Sequence, residues 1–505
     1  MIRVTMVSLI FALAQACARA DGGEIGFSVL PAVARKGPAT LISFTASAAT
    51  DVEVAILDAS GNVVRRLAAG MLGPNAPEPF EKGSLVQKVA WDGADDAGKP
   101  VAGASARVRL GMRLQEPEVV KLSIPRAPKG FPGARPGPYK LGPGAGPRIG
   151  WTDDRTQMSC QGYMVCGDPR TGSLYARLLH SETAGHASFR WVRLDPKTGR
   201  CDEVLGLRNY TYEILFGVDG LIYPMHWGWV TKRLNREWQP APFPGAGGHG
   251  IANPMINEPE LEALGFGNVE GRASTCVGLD GKLYAFRTFP ATGYARLCIW
   301  GREGKLEKRG QIPFVKNRAG TGIRVDRLGH LCVGINGVPE GYRFPDGMDE
   351  NRKAHIGSVV RIVLPEDWAE KPLPNGSGEG GLVLNARRGT SKNFAAEKLA
   401  VPGAVAAAPG IAPVMPLGFC TCSKPRFDMD WFGRLYLPDG MAGAIRVCDR
   451  NGNELAVVQG KVGDLALAWP VRVAAAGDSV FFYDYRKCRL VRLRLHYQAN
   501  ATVRL

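Results

Sequence analysis

From Gly26 to Leu114, apolar and polar residues alternate in short runs separated by turn-forming residues. Alternation with a period of two turns one face of an extended segment to a core and the other to water, so each run predicts a half-buried strand. Thr40–Thr45 is one run and Val52–Asp58 a second; Ala59-Ser60-Gly61-Asn62 makes a turn, and Val63–Leu67 returns as the hairpin partner. Gln87–Trp91 and Ala106–Met112 continue the series on either side of the polar turn Asp92–Lys99. Many short strands within about 90 residues suit a two-sheet sandwich. The pattern stops at Pro125–Gly150, about half Pro and Gly without a triplet period, which is the composition of an extended linker.

Beyond the linker one phrase recurs: an apolar run, an Asp/Gly turn, and a second apolar run often ending Leu-Tyr. It ends at Tyr223 (EILFGVDGLIY), Tyr284 (STCVGLDGKLY), Cys332 (TGIRVDRLGHLC), Tyr436 (RFDMDWFGRLY) and Phe482 (RVAAAGDSVFF). Where regular, the spacing is about 45–60 residues, the range of propeller blades. Second halves follow the same logic: Ala444–Leu455, Arg296–Leu306 and Trp191–Arg200 each read strand, polar Gly turn, strand. Four short antiparallel strands per unit make a blade, and the count predicts six. The expected fold is all-β: a sandwich followed by a six-bladed β-propeller. The expected boundaries are a signal peptide at 1–20, the sandwich at 21–117, the linker at 118–150 and the propeller at 151–505, with an irregular Gly/Ala/Pro-rich insertion at 365–417.

Two stretches resemble known families. VEVAILDASGNVVRRL followed by VAWDGADDAGKPVAGASARVRL is similar to the Ig-like domain of the flagellar hook-capping protein FlgD, most specifically over Trp91–Gly103; Ala104-Ser105-Ala106 stands where that family often has Tyr. The resemblance implies an Ig-like fold and no activity. Arg426–Gly460 resembles an NHL repeat, in which the phrase Asp is a hydrogen-bonding residue between blades.

The formal charge is +16, scattered rather than gathered into a tract. A solvated basic surface or an acidic glycan partner fits this better than nucleic acid, for which no motif is present. The densest stretch, Arg486–Arg494 (RKCRLVRLR), reads as a strand with arginines along an exposed face. Arg3, the apolar run Val4–Ala16 and the small-residue site Ala18-Arg19-Ala20 predict a cleaved export signal. Acylation at Cys17 fits less well because Gln15 suits a lipobox poorly. No run is long enough for a membrane-spanning helix, so a secreted or periplasmic protein is expected. The ten cysteines after Cys17 permit disulfides, and they contain no C-x-x-C.

No nucleophile elbow, P-loop or dinucleotide fingerprint is present. The positions closing the second strand of each unit offer His226, Arg287, Asn336, Asp439 and Asp484 at one face of the ring. A His, an Asn and two carboxylates are a donor set for a divalent cation such as calcium. The set is similar in kind to that of the senescence-marker-protein/gluconolactonase family, but no stretch matches that family's ligand-bearing motifs, and structural roles suit Asp439 and Asp484 as well. Asp92, Asp95 and Asp96 lack the EF-hand spacing and read as turn formers. Trp227 joins Tyr223, His226 and Trp229 in an aromatic cluster suited to sugar stacking or to packing between blades. Arg155, Arg272, Arg287 and Arg324 read as an anion-binding rim or plain surface. The expected role is a binding or scaffold protein for a protein or carbohydrate ligand at the propeller mouth. The alternative is a propeller hydrolase or lyase acting on a lactone or uronate polymer.

Overall fold

A computed structural model describes residues 24–120, 165–178, 190–195, 201–203, 211–226, 229–230, 233–243, 273–289, 294–304, 306–313, 320–336, 357–362, 364, 405–406, 427–439, 443–467, 470–484 and 489–505. Among them the backbone forms strands and turns and no helix, so none is long and apolar enough to cross a membrane. The expected leader, most of the linker and most of the 365–417 insertion lie outside the described residues.

Six strands build the N-terminal module: β1 (Phe27–Lys36), β2 (Ala39–Ala46), β3 (Asp51–Leu57), β4 (Val63–Met71), β5 (Val86–Trp91) and β6 (Ser105–Val119). One antiparallel sheet has the order β1-β2-β5, and β4, β3 and β6 lie side by side in another. Val52, Val54 and Ile56 share one apolar core with Ile42, Phe44, Val89 and Trp91, all 5% exposed or less. Burying a side chain of this size contributes about 1.5–3 kcal/mol. Strand β3 is buried on both faces: its alternate residues Asp51, Glu53 and Ala55 are buried as well as the apolar ones. That second face is where the charged contacts with the rest of the chain arise.

The later strands form antiparallel meanders. Sheet order β7-β8-β9-β10 comprises Val165–Gly167, Leu174–Leu178, Arg190–Leu194 and Cys201–Glu203. Next come β11 (Thr211–Phe216), β12 (Ile222–His226) and β13 (Trp229–Val230), then β14 (Ala273–Val277), β15 (Leu283–Phe289), β16 (Tyr294–Trp300) and β17 (Leu306–Pro313). The fourth sheet has β18 (Gly320–Val325), β19 (Leu331–Asn336), β20 (Gly357–Ile362) and β21 (Val405–Ala406). Its last strand lies inside the segment expected as an irregular insertion and closes the sheet. The fifth, β22 (Asp428–Met429), β23 (Leu435–Asp439), β24 (Ala444–Cys448) and β25 (Glu454–Gln459), coincides with the NHL-like stretch. After a two-stranded ribbon, β26 (Lys461–Val462) and β27 (Leu465–Ala466), come β28 (Pro470–Ala476), β29 (Ser479–Asp484) and β30 (Arg489–Arg504).

Period-two alternation explains how these sheets assemble. Leu435 and Leu437 pack with Cys332 and Val359 of the preceding sheet, while Tyr436 between them packs with Val473, Val480 and Phe482 of the following one. Phe481 and Tyr483 turn the other way, onto Val165, Leu174 and Val192 of the β7–β10 sheet. Tyr175 and Trp191 meet Ile214 and Ile222, Tyr223 meets Leu283 and Phe286, and Ile323 and Val333 join the same cluster. Each sheet therefore buries both faces between neighbours, and the last packs on the first. Gly167 marks that closure: a Cβ there would lie 2.0 Å from the Ala475 carbonyl oxygen.

The module and the C-terminal sheet are one six-stranded sheet, β28-β29-β30-β6-β3-β4. The first half of β30 pairs with β29 and with Leu114–Val119 of β6; its second half, Tyr497–Arg504, pairs with Ser105–Met112. Strand β6 thus runs past residue 117, where the linker was expected to begin, and the chain's last residues lie beside the N-terminal strands. The arginines of β30 do not line a bare face: Arg489 pairs with Asp484, Arg492 with Glu118 and Arg494 with Glu116.

Candidate functional site

The recurring Asp builds one end of every sheet that carries it. Asp219 Oδ1 accepts the Leu221 amide and its Oδ2 accepts the Tyr223 hydroxyl at 2.5 Å; Asp280 treats Lys282 and Tyr284 in the same way. Asp430 accepts the amides of Phe432 and Arg434, the Arg434 guanidinium at 2.6 Å and the Tyr436 hydroxyl at 2.9 Å. In the β18–β19 turn His330 stands in for the tyrosine, its Nδ1 3.2 Å from Asp326. Aspartates cap turns because a short carboxylate reaches backbone amides two to four residues on. Here the second oxygen also holds the returning strand, which explains the Leu-Tyr ending. Burial and the neighbouring carboxylate push the Tyr284 hydroxyl well above its usual range, so it stays a donor. The Asp92–Lys99 turn is built alike: Asp92 accepts the Ala94 amide and Asp95 those of Ala97 and Lys99.

These turn ends meet the N-terminal module. Glu53 receives Arg109 at 2.6 Å, Arg434 at 3.0 Å, Arg107 at 3.3 Å and the Tyr497 hydroxyl at 2.8 Å. Burial opposes its ionisation, but Arg109, Arg434, Arg107 and Tyr497 outweigh that and hold the carboxyl at about 2. Asp96 takes Arg66 at 2.8 Å and Arg327 at 2.7 Å, and Asp449 Oδ2 accepts the Met71 amide. A cleft of about 510 Å³ remains between module and turns. Its charged groups largely offset one another: Arg66 with Asp96, Arg109 with Asp478, Arg170 with Asp168. Arg66 also lies 4.7 Å over the Trp431 ring and donates to the Pro169 carbonyl, covering the place where cleft and central channel share a wall.

The first strands β7, β11, β14, β18, β22 and β28 together line that channel, which encloses a cavity of about 50 Å³. Four charged residues interrupt these apolar strands. Glu213 Oε1 accepts Arg324 at 2.6 Å and Arg472 at 3.1 Å; Arg324 also reaches Asp428 at 3.1 Å, and Asp428 accepts the Ala475 amide. Glu213 and Arg472 are 1% and 2% exposed. Cys166 lies beside them, accepting the Ile214 amide; burial pushes its thiol up to about 12, far from a thiolate nucleophile. Cys276, Cys332 and Cys448 are buried thiols too.

The positions expected to face a ligand sit at the strand ends away from the module. Strand β12 ends at His226, opposite Thr211; β15 carries Arg287 opposite Ala273; β19 ends at Asn336; β23 and β29 end at Asp439 and Asp484. They share a level in their sheets. Arg287, Asp439 and Asp484 are buried, Asp484 2.9 Å from Arg489 and Asp439 3.6 Å from Arg446. Trp227, Arg155 and Arg272 lie outside the described residues, and Arg324 belongs to the channel rather than a rim. The channel carboxylates Glu213 and Asp428, and Arg472, went unremarked in the sequence. Their signal is a charged residue in the short first strands β11, β18, β22 and β28; β7 and β14 carry none.

No family model and no curated protein matches the chain. Among solved structures it is similar to streptogramin B lyase, at 15% identity and a TM-score of 0.33 over 76% of this chain and 98% of that one. A protein proposed to be a gluconolactonase is similar at 10% identity and 0.34, over 68% and 91%. A proposed 6-phosphogluconolactonase from Bacteroides fragilis is similar at 12% and 0.32, over 64% and 77%. Scores at this level say nothing of what this chain binds or does, and its architecture is read from its own sheets.

Proposed function

We propose that this chain is an exported binding protein: an Ig-like sandwich joined to a six-bladed, NHL-like propeller that engages a protein or carbohydrate at the mouth away from the sandwich. The cyclic order of sheet contacts and the Asp-capped turns support the propeller, and the face-to-face sheets of the N-terminal module support the sandwich. The export signal rests on Arg3, Val4–Ala16 and Ala18-Arg19-Ala20.

One observation carries the choice of mouth. The module is held across the turn ends by the Glu53, Asp96 and Asp449 contacts, and Arg66 covers the channel on that side. A ligand then meets the ring at the opposite strand ends, the level of His226, Arg287, Asn336, Asp439 and Asp484, with Trp227 following His226. Binding rather than turnover is favoured because the described carboxylates near the channel are engaged by arginines, Glu213 by Arg324 and Arg472 and Asp428 by Arg324, instead of standing free to reach a substrate.

The test uses the purified full chain on an immobilised glycan panel and in capture of proteins from the source cell's envelope, with lactone and uronate-polymer turnover and metal content measured alongside. Saturable binding without turnover is expected, weakened at least tenfold by Arg287→Ala. Turnover with a stoichiometric cation would replace this reading with the hydrolase or lyase one; neither binding nor turnover would remove both.

A further inference from the structure

The cleft between module and ring, about 510 Å³, has the volume of a small-ligand site, roughly 300–1,000 Å³, and lies between two parts of the chain, where such sites are common. Its carboxylates are all engaged. Asp96 and Asp478 hold Arg66 and Arg109, Asp430 holds Arg434 and the Tyr436 hydroxyl, and Asp58, Asp95 and Asp219 cap their own turns. Three of its cations are not engaged in this way. Lys99 and Arg236 are exposed, and their side chains make no hydrogen bond or ion pair among the described residues. Arg107 has a single contact, 3.3 Å from a Glu53 oxygen that Arg109 already holds at 2.6 Å. Lys99 and Arg107 belong to the module wall and Arg236 to the ring wall, so uncommitted positive charge stands on both sides of the cleft. Gly220 leaves open the space beside Arg236: a Cβ there would stand 3.2 Å from Arg236 Nη2 and 3.7 Å from Arg170 Nη1.

The class of ligand follows from this mixed lining. A neutral sugar leaves Lys99, Arg107 and Arg236 without the charge-assisted hydrogen bonds they can donate. A bare sulfate or phosphate answers the cations but also meets the carboxylates of the same walls, whose negative charge remains even where their oxygens cap turns. A sugar acid answers both. Its carboxylate accepts from the uncommitted cations, and its hydroxyls donate to carboxylate oxygens, each of which has a lone pair beyond the one its turn uses.

We infer that the cleft is a binding site for an acidic sugar, a uronic acid or a short uronate oligosaccharide, held by Lys99 and Arg107 of the module and Arg236 of the ring. It is a second site, on the module side of the ring, and it goes beyond the reading that places a ligand at the opposite mouth. A ligand seated there touches module and ring together.

The test is calorimetric titration of the full chain with D-glucuronate, D-galacturonate, digalacturonate, the methyl esters of these acids and inorganic sulfate, repeated on Lys99→Ala, Arg236→Ala and the double variant. At least one uronate is expected to bind, with its methyl ester and each single variant about tenfold weaker and sulfate weaker than the uronate. Both substituted side chains are exposed and unpartnered, so the variants should melt with the parent. Amide exchange with the tightest uronate bound should slow in both walls, at 95–99 and at 218–220. A methyl ester that binds as tightly as its acid, sulfate that binds more tightly than any uronate, or no uronate binding overturns the site. Uronate binding that the double variant leaves unchanged and Arg287→Ala abolishes overturns it too, and places the sugar at the opposite mouth, where the binding reading then stands without the cleft.

Discussion

The ring sheets and the N-terminal module use the same strands and turns but close in opposite ways. Each ring sheet before the last is a meander of consecutive strands, so its hydrogen bonds join strands that follow one another in sequence. The module is completed by a strand from the other end of the chain: Arg492 meets Glu118 across 374 positions and Gln498 meets Arg113 across 385. Local pairing lets a sheet form from its own hairpins, whereas distant pairing ties a region's stability to the rest of the molecule. The module is therefore a clasp on the ring more than a separate spacer. Strand β6 supplies the fourth strand of the last ring sheet, and β30 supplies a strand to the module.

The largest expected effect breaks that reciprocity. Deleting Gln498–Leu505 removes the partner of Ser105–Leu110 and opens an edge on β6. Amide exchange should show β2, β3, β5 and β6 losing protection while β14–β17, which pair only among themselves, keep theirs. Unchanged protection across the module would show that it stands alone.

Glu53→Ala comes next, because it leaves Arg107, Arg109 and Arg434 facing one another where modules meet. Removing one partner of a buried ion pair costs about 3–5 kcal/mol, read from denaturant unfolding. The pH dependence follows from the folded-state value of about 2, below the ordinary 4.5. Glu53's contribution is full above about 4.5 and is lost as pH falls toward 2, on the order of 3 kcal/mol in all. Asp51 acts with the opposite sign. Burial raises it to about 6 against the Met112 amide and Arg434, so its contribution is full below about 3.8 and declines as pH rises through 6. Glu53→Gln should erase the acid limb and leave the Asp51 limb; an acid limb of unchanged size would mean another group sets it.

Gly167→Ala tests the ring alone. With a Cβ 2.0 Å from the Ala475 carbonyl oxygen and 2.8 Å from the Ala476 Cβ, one of the closing sheets must move. Overpacking against backbone costs about 3 kcal/mol, and exchange should rise first along β7 and β28. A variant as stable as the parent would mean that the first and last sheets do not meet this closely.

What the sequence made legible divides along the same line. The Asp/Gly phrase could be read because its parts interact within a few residues: the carboxylate, the turn amides and the returning tyrosine are neighbours in the chain. The β30–β6 pairing could not, since alternation marks Leu490–Leu495 as a strand without naming its partner. The channel cluster fell between the two. Glu213, Arg324, Asp428 and Arg472 lie far apart in the chain with nothing in their own strands to link them, and only ring closure brings them into one hydrogen-bonded group. Asp439 and Asp484 were visible as carboxylates at strand ends; the arginines they meet, Arg446 and Arg489, lie a hairpin away.

The smallest expected effect is also the cleanest separation of ring from module. Tyr284→Phe removes one hydroxyl from a turn whose Asp280 keeps the Lys282 amide and ammonium group nearby, so the loss should be about 1 kcal/mol. Burial already raises the Asp280 carboxyl, and losing the Tyr284 donor raises it further, so the variant should be more destabilised near pH 7 than near pH 4. Tyr436→Phe makes the same chemical change at Asp430, where Arg434 links the turn to Glu53 of the module. If turns are local devices, Tyr284→Phe should leave exchange in β3 and β6 untouched, whereas Tyr436→Phe should raise it. Equal effects of the two on the module would mean that strain passes around the ring through packed sheets, and that local and distant pairing are not separable here.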